Sequence, residues 1–397
     1  MTEKRLKYLC EQLGDSTPAY IFDLDILSDR MNVLNKKKAG NAGLCYAMKA
    51  NPFLVKPMET MVDYFEVCSP GELSICQEKQ IAPEKIIFSG VNKRKEEIME
   101  AVRYGVFAVT LESWQQYRFT VECAEELKKK VRVMPRLTGG GQFGMEKAEL
   151  ERIIEESSRN EFLEVAGIHY FTGTQKKKAE KILEEARELK DYADDLQKRL
   201  GFAADILEFG TGMAVPYFEG EDFEEELQAF EQLAAFLETE GSSYFWNLEF
   251  GRYFAASCGY FITAVVDLKK NHDVNYCLVD GGIHHLNYYG QNMAMRVPKI
   301  THVKGTGDDT DSGAKEWCVC GSLCTFADVL VRKAVFENME VGDMLVFHNA
   351  GAYAVTEAIF MLLSRKMPRI YFFREEEGPV LIRDWVETFR LNSDMLS

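Results

Sequence analysis

The chain has 397 residues, with 47 Lys+Arg against 63 Asp+Glu, for a formal charge of −16. Hydrophobic residues at 46% and aromatics at 12% are ample for a packed core, so general disorder is excluded. The acidic balance argues against nucleic-acid binding, which needs clustered Lys and Arg to release counterions, and no stretch of ~18 uncharged apolar residues offers a membrane span.

In chain order, Met1 to Leu13 carries Lys4, Arg5, Lys7 and Glu11 and lacks the apolar centre of a secretory signal. Ala19–Asp23 is a short apolar run ahead of the first amphipathic segment. Eight further runs follow: Leu44–Met48, Tyr64–Cys68, Ile86–Ser89, Val106–Leu111, Val131–Leu137, Val165–Phe171, Asp205–Phe209 and Tyr244–Glu249. Amphipathic segments separate them. The clearest is Lys177–Leu200, in which Ile182, Ala186, Leu189, Ala193 and Leu196 keep the 3.6-residue period and Gly201 supplies a C-cap. Eight strand–helix units in about 230 residues predict an α/β fold, a parallel (β/α)₈ TIM-like barrel over residues 24–257.

Beyond residue 258 the pattern changes. Tyr260–Leu268, Tyr276–Val279, Lys299–Lys304, Trp317–Cys320, Met344–Phe347, Ile370–Phe373 and Val380–Arg383 read as strands with few helices between them. Residues 1–23 and 258–397 are therefore expected to form a second, mostly antiparallel β domain. Cys318, Cys320 and Cys324 lie close together there, but no CxxC occurs and no histidine follows at ligand spacing, so no metal site is expected. Ten cysteines without an export signal read as reduced thiols, which makes the cytoplasm the expected location.

A barrel of this kind gathers its chemistry at the C-terminal ends of its strands. Those ends carry unusual residues. The first ends in Lys49, the fifth holds Arg136, and the sixth runs through His169 to Thr174 and Gln175. The seventh ends in Gly210-Thr211-Gly212 and the eighth in Glu249-Phe250-Gly251-Arg252. Taken singly, a strand-end lysine is usually solvated, lone glycines mark turns, and a single histidine is more often structural than catalytic. Five such positions at one rim point elsewhere. A desolvated Lys49 can form a Schiff base. Glycine backbone can approach a phosphate, and Arg252 and Thr174 add donors. His169 can stack on a flat ring, and Glu249 can keep a ring nitrogen protonated. Pyridoxal 5′-phosphate combines all of these demands and acts as an electron sink for carbanions.

The motifs resemble those of the fold-type III pyridoxal-phosphate decarboxylases, the family of the diaminopimelate, ornithine and arginine decarboxylases. The resemblance rests on Tyr46-Ala47-Met48-Lys49-Ala50-Asn51, Cys68-Ser69-Pro70-Gly71-Glu72-Leu73, Gln142-Phe143-Gly144-Met145, His169 with Gly173-Thr174-Gln175, Gly210-Thr211-Gly212, Glu249-Phe250-Gly251-Arg252, Asp280-Gly281-Gly282, Cys320-Gly321-Ser322-Leu323-Cys324 and Gly351-Ala352-Tyr353. It implies an alanine-racemase-like barrel with a C-terminal antiparallel β-barrel domain, and a homodimer with shared active sites. It further implies that Lys49 binds the cofactor aldehyde, His169 stacks on its ring and Glu249 pairs with the ring nitrogen. Thr174, Gly212, Arg252 and Tyr353 would hold the phosphate. Cys324, supplied by the neighbouring subunit, would protonate the carbanion left by CO₂.

Some positions depart from the family pattern. Relatives acting on diamino substrates usually place an acidic residue directly after the proton-donating cysteine; here Thr325 stands there and Asp328 follows three residues later. The usual Arg-Pro-x-Leu-Tyr segment after Asp-Gly-Gly is replaced by Ile283-His284-His285-Leu286-Asn287-Tyr288-Tyr289-Gly290-Gln291. These stretches resemble decarboxylases of amino acids tethered to an acyl carrier protein, the butirosin-type glutamyl enzyme being the example. Arg136, Asp328 and His284 are the candidate substrate contacts. Two alternatives share the fold: an amino-acid racemase, which would place arginine where Glu249 stands, and a non-catalytic pyridoxal-phosphate binding protein, which would lack the large second domain and its cysteine.

Overall fold

The computed structural model describes residues 1–221, 225–288, 294–305 and 313–394. The chain divides into two compact units, one of Met31–Val215 and Phe223–Phe254, the other of Met1–Arg30, Pro216–Asp222 and Ala255–Ser397. The first strand, β1 (Ala19–Asp23), belongs to the second of these.

The first unit is a closed parallel barrel. Its strands are β2 (Ala42–Ala47), β3 (Tyr64–Val67), β4 (Ile86–Phe88), β5 (Ala108–Leu111) and β6 (Val131–Leu137), then, beyond a short β7 (Leu163–Val165), β8 (Gly167–Phe171), β9 (Ile206–Gly210) and β10 (Phe245–Phe250). Neighbours run β5-β4-β3-β2-β10-β9-β8-β6, and β5 pairs with β6 to close the ring. Strand β7 stands outside it, paired to β6 through Val131 and Leu163. Between β8 and β9 the helix Ala179–Leu200 buries Ile182, Ala186, Leu189, Ala193 and Leu196 and ends on Gly201 at φ +68°. A left-handed residue there suits glycine, which has no Cβ to clash.

The barrel interior is layered because strand side chains alternate with period two. Cys45, Ile87, Ala108, Met134 and Ala166 form one buried apolar cluster. Two residues further along the same strand faces come Ser89, Thr110 and Arg136, all buried. Glu66, His169, Glu208 and Glu249 are buried on the remaining strands. The polar positions thus stand toward the C-terminal strand ends, where barrel chemistry resides.

The second unit is a nine-stranded mixed sheet. Strand β1 lies between β11 (Gly259–Asn271), to which it is antiparallel, and β17 (Arg369–Arg374), to which it is parallel. The others are β12 (Val274–Val279), β13 (Ile300–Val303), β14 (Ala314–Cys320), β15 (Val329–Glu337), β16 (Met344–Phe347) and β18 (Gly378–Arg383). A second parallel pairing joins β12 to β14, so the sheet is not wholly antiparallel. Strand β15 escapes the sequence reading because Arg332 and Lys333 interrupt its apolar alternation; both are exposed. Leu6, Leu9 and Leu13 of the helix Glu3–Leu13 pack on Ile21, Ile262, Val346 and Phe373. Among the described residues no helix is long and apolar enough to cross a membrane.

Candidate active site

Lys49 follows β2 and places its Nζ 2.6 Å from Glu66 Oε2 and 3.5 Å from Glu249 Oε1. Cys68 Sγ lies 3.6 Å from the same nitrogen. The lysine side chain is 36% exposed, whereas Glu66 and Glu249 are 2% and 7% exposed, so one ammonium meets the outside while its counter-ions do not. Burial raises the Glu66 carboxyl above its usual range, and the adjacent Glu249 adds to the rise. Burial also works to raise Glu249, but Lys49, the contact with Glu66 and Arg136 together outweigh it and leave that carboxyl lowered. The two acids are thereby driven apart, one toward the neutral form and one toward the charged form.

His169 is 1% exposed, and its Nε2 lies 3.2 Å from Glu249 Oε2 without the alignment of a hydrogen bond. Burial, helped by Arg136, holds this imidazole down at about 3, so it is neutral at physiological pH. Register pairs His169 with Arg136 on β6 and with Glu208 on β9. Arg136 donates to Glu112 Oε1 at 2.7 Å, and the other oxygen of Glu112 accepts from Gly144 N–H at 2.8 Å. The guanidinium faces the Phe143 ring at 5.0 Å and the Phe171 ring at 5.9 Å. Arg136 is thus held in place by a buried carboxylate and two aromatic faces.

The Gly210–Gly212 turn is built for close approach. A Cβ on Gly210 would fall 2.5 Å from the Phe171 ring, and one on Gly212 would fall 2.0 Å from Gly173 O. Gly212 has φ +62°, which also favours glycine. Lys176 N–H donates to Gly212 O at 2.9 Å and Ala214 N–H donates to Lys176 O at 3.2 Å, which laces this turn to the loop after β8. Gln175 adds a two-way bond with the Val215 backbone, at 2.8 and 3.0 Å. Arg252 Nε donates to Thr174 Oγ1 at 3.4 Å. Thr211 is fully buried, and its N–H donates to Glu249 O at 3.4 Å. Gly251 connects Glu249 and Phe250 at the end of β10 to the short helix Arg252–Ala255.

Lys49, His169, Arg136 and Glu249 are therefore brought together in the barrel, with Thr174, Gly210, Thr211, Gly212 and Arg252 on its loops. Cys324, Tyr353, Asp328 and His284 belong to the other unit. Cys324 is exposed, and Tyr353 takes φ +63°. Asp328 departs from its reading as a substrate contact. It is 2% exposed, and its oxygens accept from Ile283 N–H at 2.9 Å and Leu323 N–H at 2.7 Å, so it staples two loops of its own unit. His284 is fully buried beneath a ring stack with His285, with centroids 3.6 Å apart, and is likewise not offered to solvent. Tyr289, Gly290 and Gln291 lie outside the described residues.

The sequence reading assigned no role to Glu66, Glu208, Glu112 or Lys93. For Glu66 and Glu208 the signal was an ionisable residue inside an apolar run, between Phe65 and Val67 and between Leu207 and Phe209; Glu112 and Lys93 carry no such signal. Lys93 is 4% exposed and donates to Gly90 O, and burial lowers its ammonium to about 8.

These residues fit pyridoxal 5′-phosphate. Buried polar atoms stand without hydrogen-bond partners at His169 Nδ1 and Nε2 and at Glu249 Oε2. The glycine turn packs its backbone against Phe171 and Gly173 with no room for a Cβ, leaving its N–H groups as bare backbone donors. An amine, a planar neutral ring, an anionic acceptor and a backbone cradle are the four features the group requires.

Comparison with known proteins agrees. The pyridoxal-binding domain of the pyridoxal-dependent decarboxylases matches residues 25–256. The L-glutamyl BtrI acyl-carrier-protein decarboxylase of Niallia circulans is 26% identical over 375 residues, covering 89% of this chain and 87% of the relative. The diaminopimelate decarboxylase of Aquifex aeolicus is 28% identical over 369 residues, covering 88% and 84%. In fold, the diaminopimelate decarboxylase of M. jannaschii superposes with a TM-score of 0.86 at 22% identity, covering 99% of this chain and 94% of that one. The racemase and non-catalytic alternatives are not favoured by these relatives. The chain belongs to the pyridoxal-dependent decarboxylase family; it is a carboxy-lyase with pyridoxal 5′-phosphate as its cofactor.

Proposed function

We propose that this enzyme removes the α-carboxylate of an amino acid whose far end is not a free ammonium, with a substrate tethered to an acyl carrier protein as the specific case. The observation that carries the reading is that neither of the two positions nearest the family's amine-binding acid offers a free carboxylate. Thr325 stands where an acidic residue would pair with a distal amine, and both oxygens of Asp328 are engaged by backbone N–H groups. An ammonium buried without a carboxylate is costly. The Niallia relative, which acts on a carrier-bound glutamyl group, supports the tethered case.

When bound, pyridoxal 5′-phosphate supplies the aldehyde and the electron sink that accepts the electron pair left behind by CO₂. In our reading Lys49 Nζ would hold the cofactor, and Glu66 Oε2, 2.6 Å away, would orient that nitrogen. His169, neutral and buried, would stack on the ring. Glu249 keeps the ring nitrogen protonated. Thr174, Gly212, Arg252 and Tyr353 hold the phosphate. Arg136 is the contact for the substrate carboxyl group. Cys324 Sγ delivers the proton that replaces the lost carboxylate.

A homodimer with shared sites completes the proposal. The loop that bears Cys324 also bears Phe326, whose ring is fully exposed. A proton donor working at a carbanion needs a site shielded from water, which a second copy of the chain would supply over this loop.

Three experiments test the reading. Borohydride reduction of the holoenzyme should fix the cofactor on Lys49, identified by peptide mass; label elsewhere would refute the assignment. Lys49→Ala and Cys324→Ala variants, each inactive alone, should regain CO₂ release when mixed and re-equilibrated, because one shared site is rebuilt whole. A screen with free glutamate, ornithine, diaminopimelate and a carrier-linked glutamyl thioester decides the substrate, and preference for a free diamino acid would overturn the tethered reading.

A further inference from the structure

Glu208 lies in the middle of β9, with hydrophobic neighbours on both sides in sequence and no exposure to solvent. Neither of its carboxyl oxygens has a hydrogen-bond partner. Across the sheet it is in register with His169 on β8 and Asn247 on β10. One liganding atom from each of Glu208, His169 and Glu249 lies within 4.8 Å of the other two. His169 Nδ1 and Nε2 and Glu249 Oε2 likewise lack hydrogen-bond partners.

The charges facing the cluster are few. Glu66 comes from β3, Arg136 from β6, His169 from β8 and Glu249 from β10, with Lys49 at the end of β2. The Lys49 ammonium contacts Glu66 and Glu249, and Arg136 is occupied by Glu112. No cation is paired with Glu208 among the described residues. A bare carboxylate sealed in a protein interior beside another carboxylate is strongly disfavoured. A protonated carboxyl escapes that cost and gains a hydroxyl that can donate. Burial, reinforced by Glu249 and Glu66, pushes this carboxyl well above its ordinary range, in line with the geometry.

We propose that Glu208 is a neutral carboxylic acid in the working enzyme and the hydrogen-bond donor that orients the buried His169–Glu249 pair, a positioning residue for the groups that would carry the cofactor ring. The proposal rests on the reading that His169 and Glu249 carry that ring. Only the acid form can serve the purpose, because an ionised Glu208 has no hydrogen to give and would repel Glu249. One such hydrogen bond would pair one Glu208 oxygen with one acceptor atom of the His169–Glu249 pair. It also leaves Glu249 as the one charged acid at the ring position.

Infrared difference spectra of cofactor-free wild-type protein and Glu208→Gln test the protonation directly. The wild type should show the carbonyl stretch of a protonated carboxylic acid through neutral pH, and Glu208→Gln should lack it. Cofactor titration then tests the positioning role. Glu208→Gln keeps a neutral donor and should bind pyridoxal phosphate within about threefold of wild type. Glu208→Leu should weaken binding by about tenfold or more while keeping the wild-type circular dichroism spectrum. The proposal is overturned if the acid band is absent at neutral pH, if Glu208→Gln binds as poorly as Glu208→Leu, or if both variants bind like wild type. A stoichiometric divalent ion in the wild type that is lost in Glu208→Gln would also overturn it, since a metal needs the ionised form. Because the infrared measurement needs no cofactor, failure of the Lys49 labelling and failure of the Glu208 proton are separate results.

Discussion

Three buried acids in one barrel, Glu66, Glu208 and Glu249, take three different situations. Glu66 has Lys49 at 2.6 Å, Glu249 has Lys49 at 3.5 Å and His169 at 3.2 Å, and Glu208 has no hydrogen-bond partner at either oxygen. Environment, not residue type, assigns each its form. The consequence is testable at Glu249. Replacing it by glutamine removes the anion while keeping the shape, so CO₂ release should fall by roughly a hundredfold, the scale of losing one preorganised electrostatic partner. The yellow cofactor colour should persist, because Lys49 and the phosphate contacts are intact. Unchanged turnover in Glu249→Gln would remove this residue from the electron-sink role.

At the scale of elements, the phosphate cradle depends on two loops laced by backbone. The loop after β8 and the turn after β9 share the bonds through Lys176 and Gln175. Lys176 itself is buried and ion-paired to Glu185 on the helix Ala179–Leu200, which ties the loop to that helix. Gly212 sits where the two loops come closest. Gly212→Ala would force a Cβ to 2.0 Å from Gly173 O at φ +62°, a conformation costing of order 1–2 kcal/mol even without the clash. Cofactor affinity should drop by at least about tenfold, read by titration of absorbance. An alanine variant with wild-type affinity would mean that this turn does not shape the cradle. The staple made by Asp328 is the corresponding device in the other unit, holding Ile283 and Leu323 so that the cysteine loop has a defined start.

For the whole molecule, the buried histidines set the acid limit. Burial holds His169 and His284 near about 3, and His285 and His348 near about 4, all far below the ordinary value of 6.5. Below pH 6.5 the unfolded chain takes up protons that the folded chain refuses, so the unfolded state gains. Stability is therefore full above 6.5 and falls as the pH drops toward the folded values. Each histidine contributes up to about 1.4 kcal/mol per pH unit in that window. Asp343 acts at lower pH. Burial would raise it, but His302 and the N–H groups of Gly305 and Glu340 bring it to about 2, so its share is lost only as pH falls below 3.8. The urea midpoint of the apo-protein should decline steadily from pH 7 to pH 4.5. Glu66 and Glu208, whose carboxyls burial raises, oppose this trend over the same range, so the decline should be steeper in Glu208→Gln than in wild type; a midpoint flat in both proteins would show that these imidazoles are not held neutral.

Much of the barrel was legible before any coordinates, because its signals are local. An apolar run, a turn and an amphipathic helix repeat within a few tens of residues, and Lys49, His169, Gly210–Gly212 and Glu249 each stand at the end of such a run. The second sheet was less legible where charge interrupts alternation, as at Arg332 and Lys333 in β15, or where a parallel pairing joins distant segments, as β1 does with β17. By itself, then, the order of residues determined the alternating architecture, the cofactor chemistry and the family. Only the folded chain decided which acids meet a cation or a backbone N–H and which stand without a partner. Glu66 is 17 residues from Lys49, Asp328 is 45 from Ile283, and Glu208 meets His169 through strand register alone. Hydrogen bonding and desolvation act through space, and no local pattern in a sequence carries the distance between groups that the fold brings together.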